Sequence, residues 1–306
     1  VKDPTVTHVL EIVDLTPVQL RQVLALAAAW KQPGAAVPQL LTGRSVALLF
    51  EKPSARTRVS TEHAVVTLGG HPVAIRDEEV GIDRREPAED VARVLATYCT
   101  VLAARVRDHR VLERMAAAAD VPVVNLLSDR AHPCQALADL LTLQEHLGGL
   151  EGRRLAYVGD GNNVAASLTY AAALSGMEIV LSSPPGYEVD DEVVESARNL
   201  GGHVELVADP LEAVSGADAV YTDTWVSMGD EHEADTRRAA FAPWQVDARL
   251  LDAAGPEAVF MHCLPAHRGE EVTAEVLDGP RSLVWRQVDN RMHAVRALLG
   301  VLVEER

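Results

Sequence analysis

The chain has 306 residues, of which 48% are hydrophobic and 24% charged, an ordinary composition for a folded globular protein and a poor one for a disordered chain. Its formal net charge of −17 disfavours general nucleic-acid binding and adsorption to anionic membrane, both of which need a basic surface. It leaves room for a small anionic ligand, because a local group of arginines sets the field inside a site.

At this length two domains are expected. The cysteines Cys99, Cys134 and Cys263 are few and far apart, so no disulfide framework is implied and a reducing cytosol is the natural compartment. The N-terminal stretch with Lys2, Asp3, Glu11 and Asp14 has no basic-then-apolar leader pattern. No apolar run approaches the ~20 residues of a membrane span. A soluble, cytoplasmic protein without membrane or nucleic-acid partners is therefore expected.

Thr16-Pro17, a cap followed by proline at the first helical position, opens a helix to about Lys31. A strand follows near Ser45–Phe50, then a helix from about Ala55. Strands are predicted near Pro72–Ile75, Val101–Val106 and Val121–Leu126, with helices at Pro87–Cys99 and His109–Ala119. A helix from about Pro133 to His146 stops at Gly148-Gly149. A second series has strands near Arg154–Val158, Glu178–Ser182, Ala219–Thr222 and Ala258–His262, and Trp285–Glu304 reads as a closing amphipathic helix. Short apolar runs alternating with helices predict an α/β fold of two doubly wound domains with mainly parallel sheets. The first domain is expected over 1–148 and the second over 149–284, with the last helix, about 285–306, returning to the first. Ligands of such sheets sit beyond the carboxyl ends of the strands.

Five segments and one arginine stand at such strand ends. Ser54-Ala55-Arg56-Thr57-Arg58 follows a strand and opens a helix, gathering free backbone N–H groups, hydroxyls and guanidinium groups as a phosphate requires. The plainer alternative is a serine N-cap with both arginines on a solvated face. The glycines of a Walker loop are missing. Arg105 ends an apolar run and needs an acidic partner or an anionic ligand. His132-Pro133-Cys134-Gln135 could donate to a carbonyl and an amide, or be a capping histidine beside a buried cysteine.

Gly159-Asp160-Gly161-Asn162-Asn163 invites a dinucleotide comparison, but Val164 stands where the third glycine belongs. A tight turn presenting two amides to a polar ligand fits it better. Asp223-Thr224-Trp225-Val226-Ser227-Met228-Gly229 could bind an ammonium through Asp223 and a carboxylate through Ser227, or be a surface loop. His262-Cys263-Leu264-Pro265-Ala266-His267 carries zinc-type donors but lacks a second cysteine pair or a convincing fourth ligand, so no metal is expected.

In this order and spacing the segments resemble those of the carbamoyltransferases, over nearly the whole chain. Ser-x-Arg-Thr-Arg and His-Pro-x-Gln are similar to segments of the whole superfamily. His-Pro-Cys-Gln at 132–135, Asp-x-x-x-Ser-Met-Gly at 223–229 and His-Cys-Leu-Pro at 262–265 point to its ornithine branch. The resemblance implies a first domain for carbamoyl phosphate, a second for the amino acid, a trimer, and no metal or organic cofactor. It implies that Ser54, Ala55 (through its backbone), Arg56 and Thr57 hold the phosphate, and that Arg105, His132 and Gln135 hold the carbamoyl group. Asn163, Asp223, Ser227 and Met228 would hold ornithine, while Cys263 and Leu264, beside the reacting groups, and Arg291 would reach carbamoyl phosphate. The implied reaction gives citrulline and phosphate, a step of arginine metabolism. Its catalytic residues would be Arg105, His132, Asp223 and Cys263.

The sequence departs from the family pattern twice. Position 55 is alanine where many members have threonine, so weaker phosphate contact is expected. The loop Arg76–Glu86 lacks the glutamine that many relatives offer a neighbouring subunit, a place where Arg84 or Arg85 could substitute. Three other readings stay open: another amine acceptor, a non-catalytic ligand-binding member, and a nucleotide-dependent oxidoreductase.

Overall fold

The computed structural model of the chain describes residues 7–226 and 231–304. They form two compact units, one of residues 1–141 with 289–306, the other of residues 142–288. The first contains a four-stranded parallel sheet of β1 (Ser45–Phe50), β2 (His71–Arg76), β3 (Val101–Arg105) and β4 (Val123–Leu127), in the order β2-β1-β3-β4. The second contains five parallel strands, β5 (Arg154–Val158), β6 (Glu178–Ser182), β7 (His203–Leu206), β8 (Ala219–Tyr221) and β9 (Val259–Met261), in the order β7-β6-β5-β8-β9. Both units are α/β, as the alternating pattern requires.

The strand sequences explain their placement. β1 reads SVALLF and is buried from Val46 onward, the near-continuous apolar run of a strand covered on both faces. β7 escaped the sequence reading. It is a four-residue edge strand, HVEL, in which only Val204 is buried, so neither an apolar run nor a clean alternation marks it. β8 and β9 each stop a residue before the predicted end, leaving Thr222 and His262 outside the ladder.

Strand order reverses once in each sheet, between β1 and β3 and between β5 and β8, and these switch points are where open α/β sheets bind ligands. At the first, Phe50 of β1 pairs with Arg105 of β3, so the segment leaving β1 and the Arg105 guanidinium start level. A register shift at Ala104/Arg105, where β3 meets β4, re-aims that last residue.

The units divide inside the helix Pro133–Leu147 and again inside Val284–Glu304, whereas the sequence reading divides them after positions 148 and 284. Glycine marks where the first helix ends; tertiary contacts decide which unit each of its turns joins. The last helix returns to the first unit. A Cβ at Gly300 would lie 2.6 Å from the Trp30 ring, so only glycine lets the two helices approach there. Lys31 donates to Asn290 Oδ1 at 2.6 Å and pairs with Asp289 at 3.1 Å, anchoring the turn that carries Arg291.

Candidate active site

The first unit gathers cations and hydroxyls. Ser54 caps the helix Ala55–Thr67, its Oγ accepting from the Thr57 amide at 3.4 Å and lying 3.0 Å from Thr57 Oγ1. Thr57 is buried, and two buried guanidinium groups converge on its hydroxyl. Arg105 Nη1 lies 3.4 Å and Arg291 Nη2 3.2 Å from Oγ1. Arg291 also donates to Gln135 Oε1, and Gln135 Nε2 donates to Asp139 at 2.7 Å. Thr57 and Gln135, 234 and 156 positions before Arg291 in sequence, thus meet it only through the fold. Arg56 and Ala55 are exposed on the first turn, the usual place for an anion at a helix N-terminus. Arg58 follows the plainer alternative, since it is exposed and pairs with Glu62 at 2.8 Å.

His132 is buried beside this pair of arginines. Burial first, then the charges of Arg291 and Arg105, hold its pKa well below the ordinary 6.5, so it is a neutral imidazole at pH 7. A neutral ring keeps one N–H to donate, which suits a carbonyl oxygen. Cys134 is structural: burial pushes its thiol up to about 12, and Sγ lies 3.4 Å from the Asn125 carbonyl.

The second unit presents the opposite chemistry. Asp223, 5% exposed just beyond β8, accepts from the Thr224 amide at 2.8 Å, from Cys263 Sγ at 3.0 Å and from Asn162 Nδ2 at 2.9 Å. Asn163, half-buried, opens the helix Asn163–Ser175. Ser227 and Met228 lie outside the described residues. Cys263 and Leu264, assigned from sequence to the carbamoyl phosphate group of residues, belong to this unit. Leu264 has φ +61°, a left-handed conformation that a branched side chain rarely adopts, as strained residues at functional sites do.

His262 fixes that strained turn. Its Nδ1 accepts from the Leu264 amide at 2.8 Å, which leaves the proton on Nε2, 3.2 Å from Glu271 Oε1. Burial raises the Glu271 pKa, but hydrogen bonds from His262 and the His267 amide outweigh it and hold the carboxyl below its usual range. With both ring nitrogens engaged, His262 is no metal ligand, although it clusters with Asp223 and Cys263.

The Gly159–Asn163 turn corrects one expectation. The Gly161 amide is not presented to a ligand; it donates to Tyr187 O at 2.8 Å, and the Asn162 amide turns back to Asp160 O at 2.8 Å. A Cβ on Gly161 would lie 2.2 Å from the backbone of Glu188 and Val189. The glycine serves the chain's own close packing, and the space a dinucleotide pyrophosphate would need is filled, which argues against an oxidoreductase.

Three contributors escaped the sequence reading: Asn162, Glu271 and Arg237. Asn162 caps its helix through Oδ1 and holds Asp223 through Nδ2, a double duty its position as N-cap alone could have suggested. Arg237, buried, pairs with Asp160 at 2.6 Å, donates to Trp225 O at 2.5 Å and lies over the Tyr187 and Phe241 rings. It ties the turn after β5 to the segment after β8. No local pattern in the sequence announces it.

Fold and site together define a two-domain α/β protein with two buried arginines at the strand ends of one sheet and a buried carboxylate at the strand ends of the other. The carbamoyl-phosphate-binding domain of the aspartate/ornithine carbamoyltransferases matches residues 7–145, and their aspartate/ornithine-binding domain matches residues 151–302. The chain belongs to that family. It is 49% identical to the ornithine carbamoyltransferase of Methanoculleus marisnigri over 296 residues, 96% of each chain. It is 50% identical to that of Acidothermus cellulolyticus over 303 residues, 98% of this chain and 97% of that one. The structure of ornithine carbamoyltransferase from Pyrococcus furiosus superposes with a TM-score of 0.93 at 45% identity, covering 98% of both chains.

Proposed function

We propose that the protein transfers the carbamoyl group of carbamoyl phosphate to the side-chain amine of L-ornithine, giving L-citrulline and phosphate. The observation that carries this reading is the opposition of charge between the sites. Arg105 and Arg291 converge on Thr57 beside a neutral His132 in the first unit, while Asp223 and Cys263 share a hydrogen bond in the second.

The first unit is the domain for carbamoyl phosphate. The phosphate takes the first turn of the helix Ala55–Thr67, with Ser54, Arg56, Thr57 and the Ala55 amide as donors. Arg105, His132 and Gln135 hold the carbamoyl group, and Arg291 supports both. The second unit holds ornithine through Asn163, Asp223, Ser227 and Met228, with Cys263 and Leu264 at the reacting end. An alkyl ammonium has a pKa near ~10.4 and must lose a proton before it attacks. Asp223 and Cys263 are the groups placed to orient it and assist that loss. The amine lone pair forms the new C–N bond, the bond from carbon to phosphate oxygen breaks, and phosphate leaves with the electron pair. Charge growing on the carbonyl oxygen meets Arg105 and His132, donors worth about 3 kcal/mol each in such an arrangement.

This assignment implies a role in arginine metabolism, in the cytoplasm, as a trimer whose carbamoyl transfer needs no metal or organic cofactor. Cys99, Cys134 and Cys263 are free thiols, and among the described residues no helix is long and apolar enough to cross a membrane. Val59, Val66, Val94 and Tyr98, each more than half exposed on two helices of the first unit, supply apolar surface for self-association. Arg84, paired with Asp77 in its own chain, or Arg85 then serves the neighbouring copy. A panel of ornithine, N-acetylornithine, putrescine and aspartate with labelled carbamoyl phosphate tests the acceptor. Product from ornithine alone is expected, and none from ornithine overturns the assignment.

A further inference from the structure

We infer that His267, Glu270 and Glu271 form a binding site for one divalent cation of the zinc class, on the loop that follows the strained Leu264 turn. A ring nitrogen of His267 and an oxygen of each carboxylate offer ligand atoms that all lie within 4.8 Å of one another. The nearest measured pair, His267 Nδ1 and Glu271 Oε2, is 3.5 Å apart. Two ligands at about 2.1 Å from a tetrahedral ion stand roughly 3.4 Å apart, so this edge already has the right length.

Glu271 gives the independent sign of a ligand. Its side chain is fully buried, and Oε1 is satisfied by His262 Nε2 at 3.2 Å and the His267 amide at 2.5 Å. Oε2 is buried with no hydrogen-bond partner and faces the imidazole. Buried carboxylate oxygens are normally bonded, and one aimed at an imidazole nitrogen is a half-built metal site.

The surroundings are compatible with an ion. His267 is half exposed, so a cation has an entry path and water can complete its coordination. Thr224 Oγ1, 3.2 Å from His267 Nδ1, is already bonded to Val226 O and can release the ring. Gln245 Nε2 grips the carbonyls of Gly269 and Glu270 at 2.9 and 2.7 Å, fixing the turn that supplies two of the ligands. The Glu270 carboxylate must leave Arg238, 3.2 Å away, and that competition weakens the site. The neighbouring set of Asp223, His262 and Cys263 is the poorer candidate, because both His262 nitrogens are engaged. Through Glu271, whose other oxygen holds His262, the ion would stiffen the loop bearing Cys263 and Leu264.

Cobalt(II) and zinc(II) titrations of the chelator-stripped full chain at pH 7.5 test this, by visible absorption and calorimetry respectively. One equivalent is expected to bind, with hydrogen exchange slowed over 262–272. His267→Ala is expected to weaken binding at least a hundredfold and Glu270→Gln about tenfold, while Cys263→Ser leaves it unchanged. Melting of each variant in chelator confirms that it folds. Absence of binding to the wild-type chain, binding unaffected by His267→Ala, or binding lost in Cys263→Ser overturns the site.

Discussion

The polar groups of the two units pose opposite electrostatic problems and are held by different means. In the first unit the charges are buried: Arg105 and Arg291 are both 7% exposed and meet at one threonine hydroxyl that also bonds a serine. In the second, a single carboxylate is held by an amide, a thiol and an asparagine, and the adjoining turn depends on a histidine–glutamate pair to keep Leu264 at positive φ. A phosphate is a compact dianion that a fixed array of donors fits well. An amine must be accepted charged and used neutral, so its site needs a group that can exchange a proton.

The largest effect expected follows from the arginine side. Arg105→Ala removes the buried guanidinium proposed to meet the developing oxyanion and should lower kcat about a thousandfold with ornithine KM little changed, in steady-state assays with both substrates varied. A mere rise in ornithine KM would move Arg105 to the other half of the chemistry.

Asp223→Ala attacks the other side. Its kcat/KM for ornithine is expected to fall about a hundredfold or more, while affinity for carbamoyl phosphate, read by calorimetry, stays within about threefold. Unchanged ornithine kinetics would reject the acceptor assignment.

A third experiment uses acid. His132 is held neutral in the folded chain by burial and by Arg291 and Arg105. Below about pH 6.5 the unfolded chain takes up a proton that the folded chain refuses, so stability falls with falling pH, by up to about 1.4 kcal/mol per unit from this group. Urea unfolding of wild type and His132→Asn at pH 7.5 and 5.5 should show the smaller loss in the variant. Equal slopes would mean that His132 is protonated in the folded chain.

The smallest effect concerns Ala55. Ala55→Thr adds a hydroxyl on the exposed first turn beside the phosphate position, worth about 1 kcal/mol, and should lower carbamoyl phosphate KM about fivefold. No change would mean that the backbone amide at 55 carries the whole contact.

Local chemistry was enough for much of this molecule. Thr16-Pro17 capped a helix, SVALLF could only be a buried strand, and Ser54 sits one residue before a helix because its hydroxyl satisfies a free amide there. Ser54, Arg105, His132, Asp223 and Cys263 drew notice in the sequence for a related reason: each stands where polar residues interrupt an apolar run near a strand end. Three things were decided only by tertiary structure. Arg291 reaches Thr57 because the last helix packs back on Trp30 at Gly300, a contact between segments 270 residues apart in sequence. Gly161 looked like a ligand-facing amide until the chain between Tyr187 and Val189 filled the space above it. Glu271 and Arg237 carry no local signal, since what makes them matter is a buried partner contributed by another segment. Sequence settles where backbone groups must be capped or buried, because those demands are met within a few residues. Which distant charges then meet depends on packing.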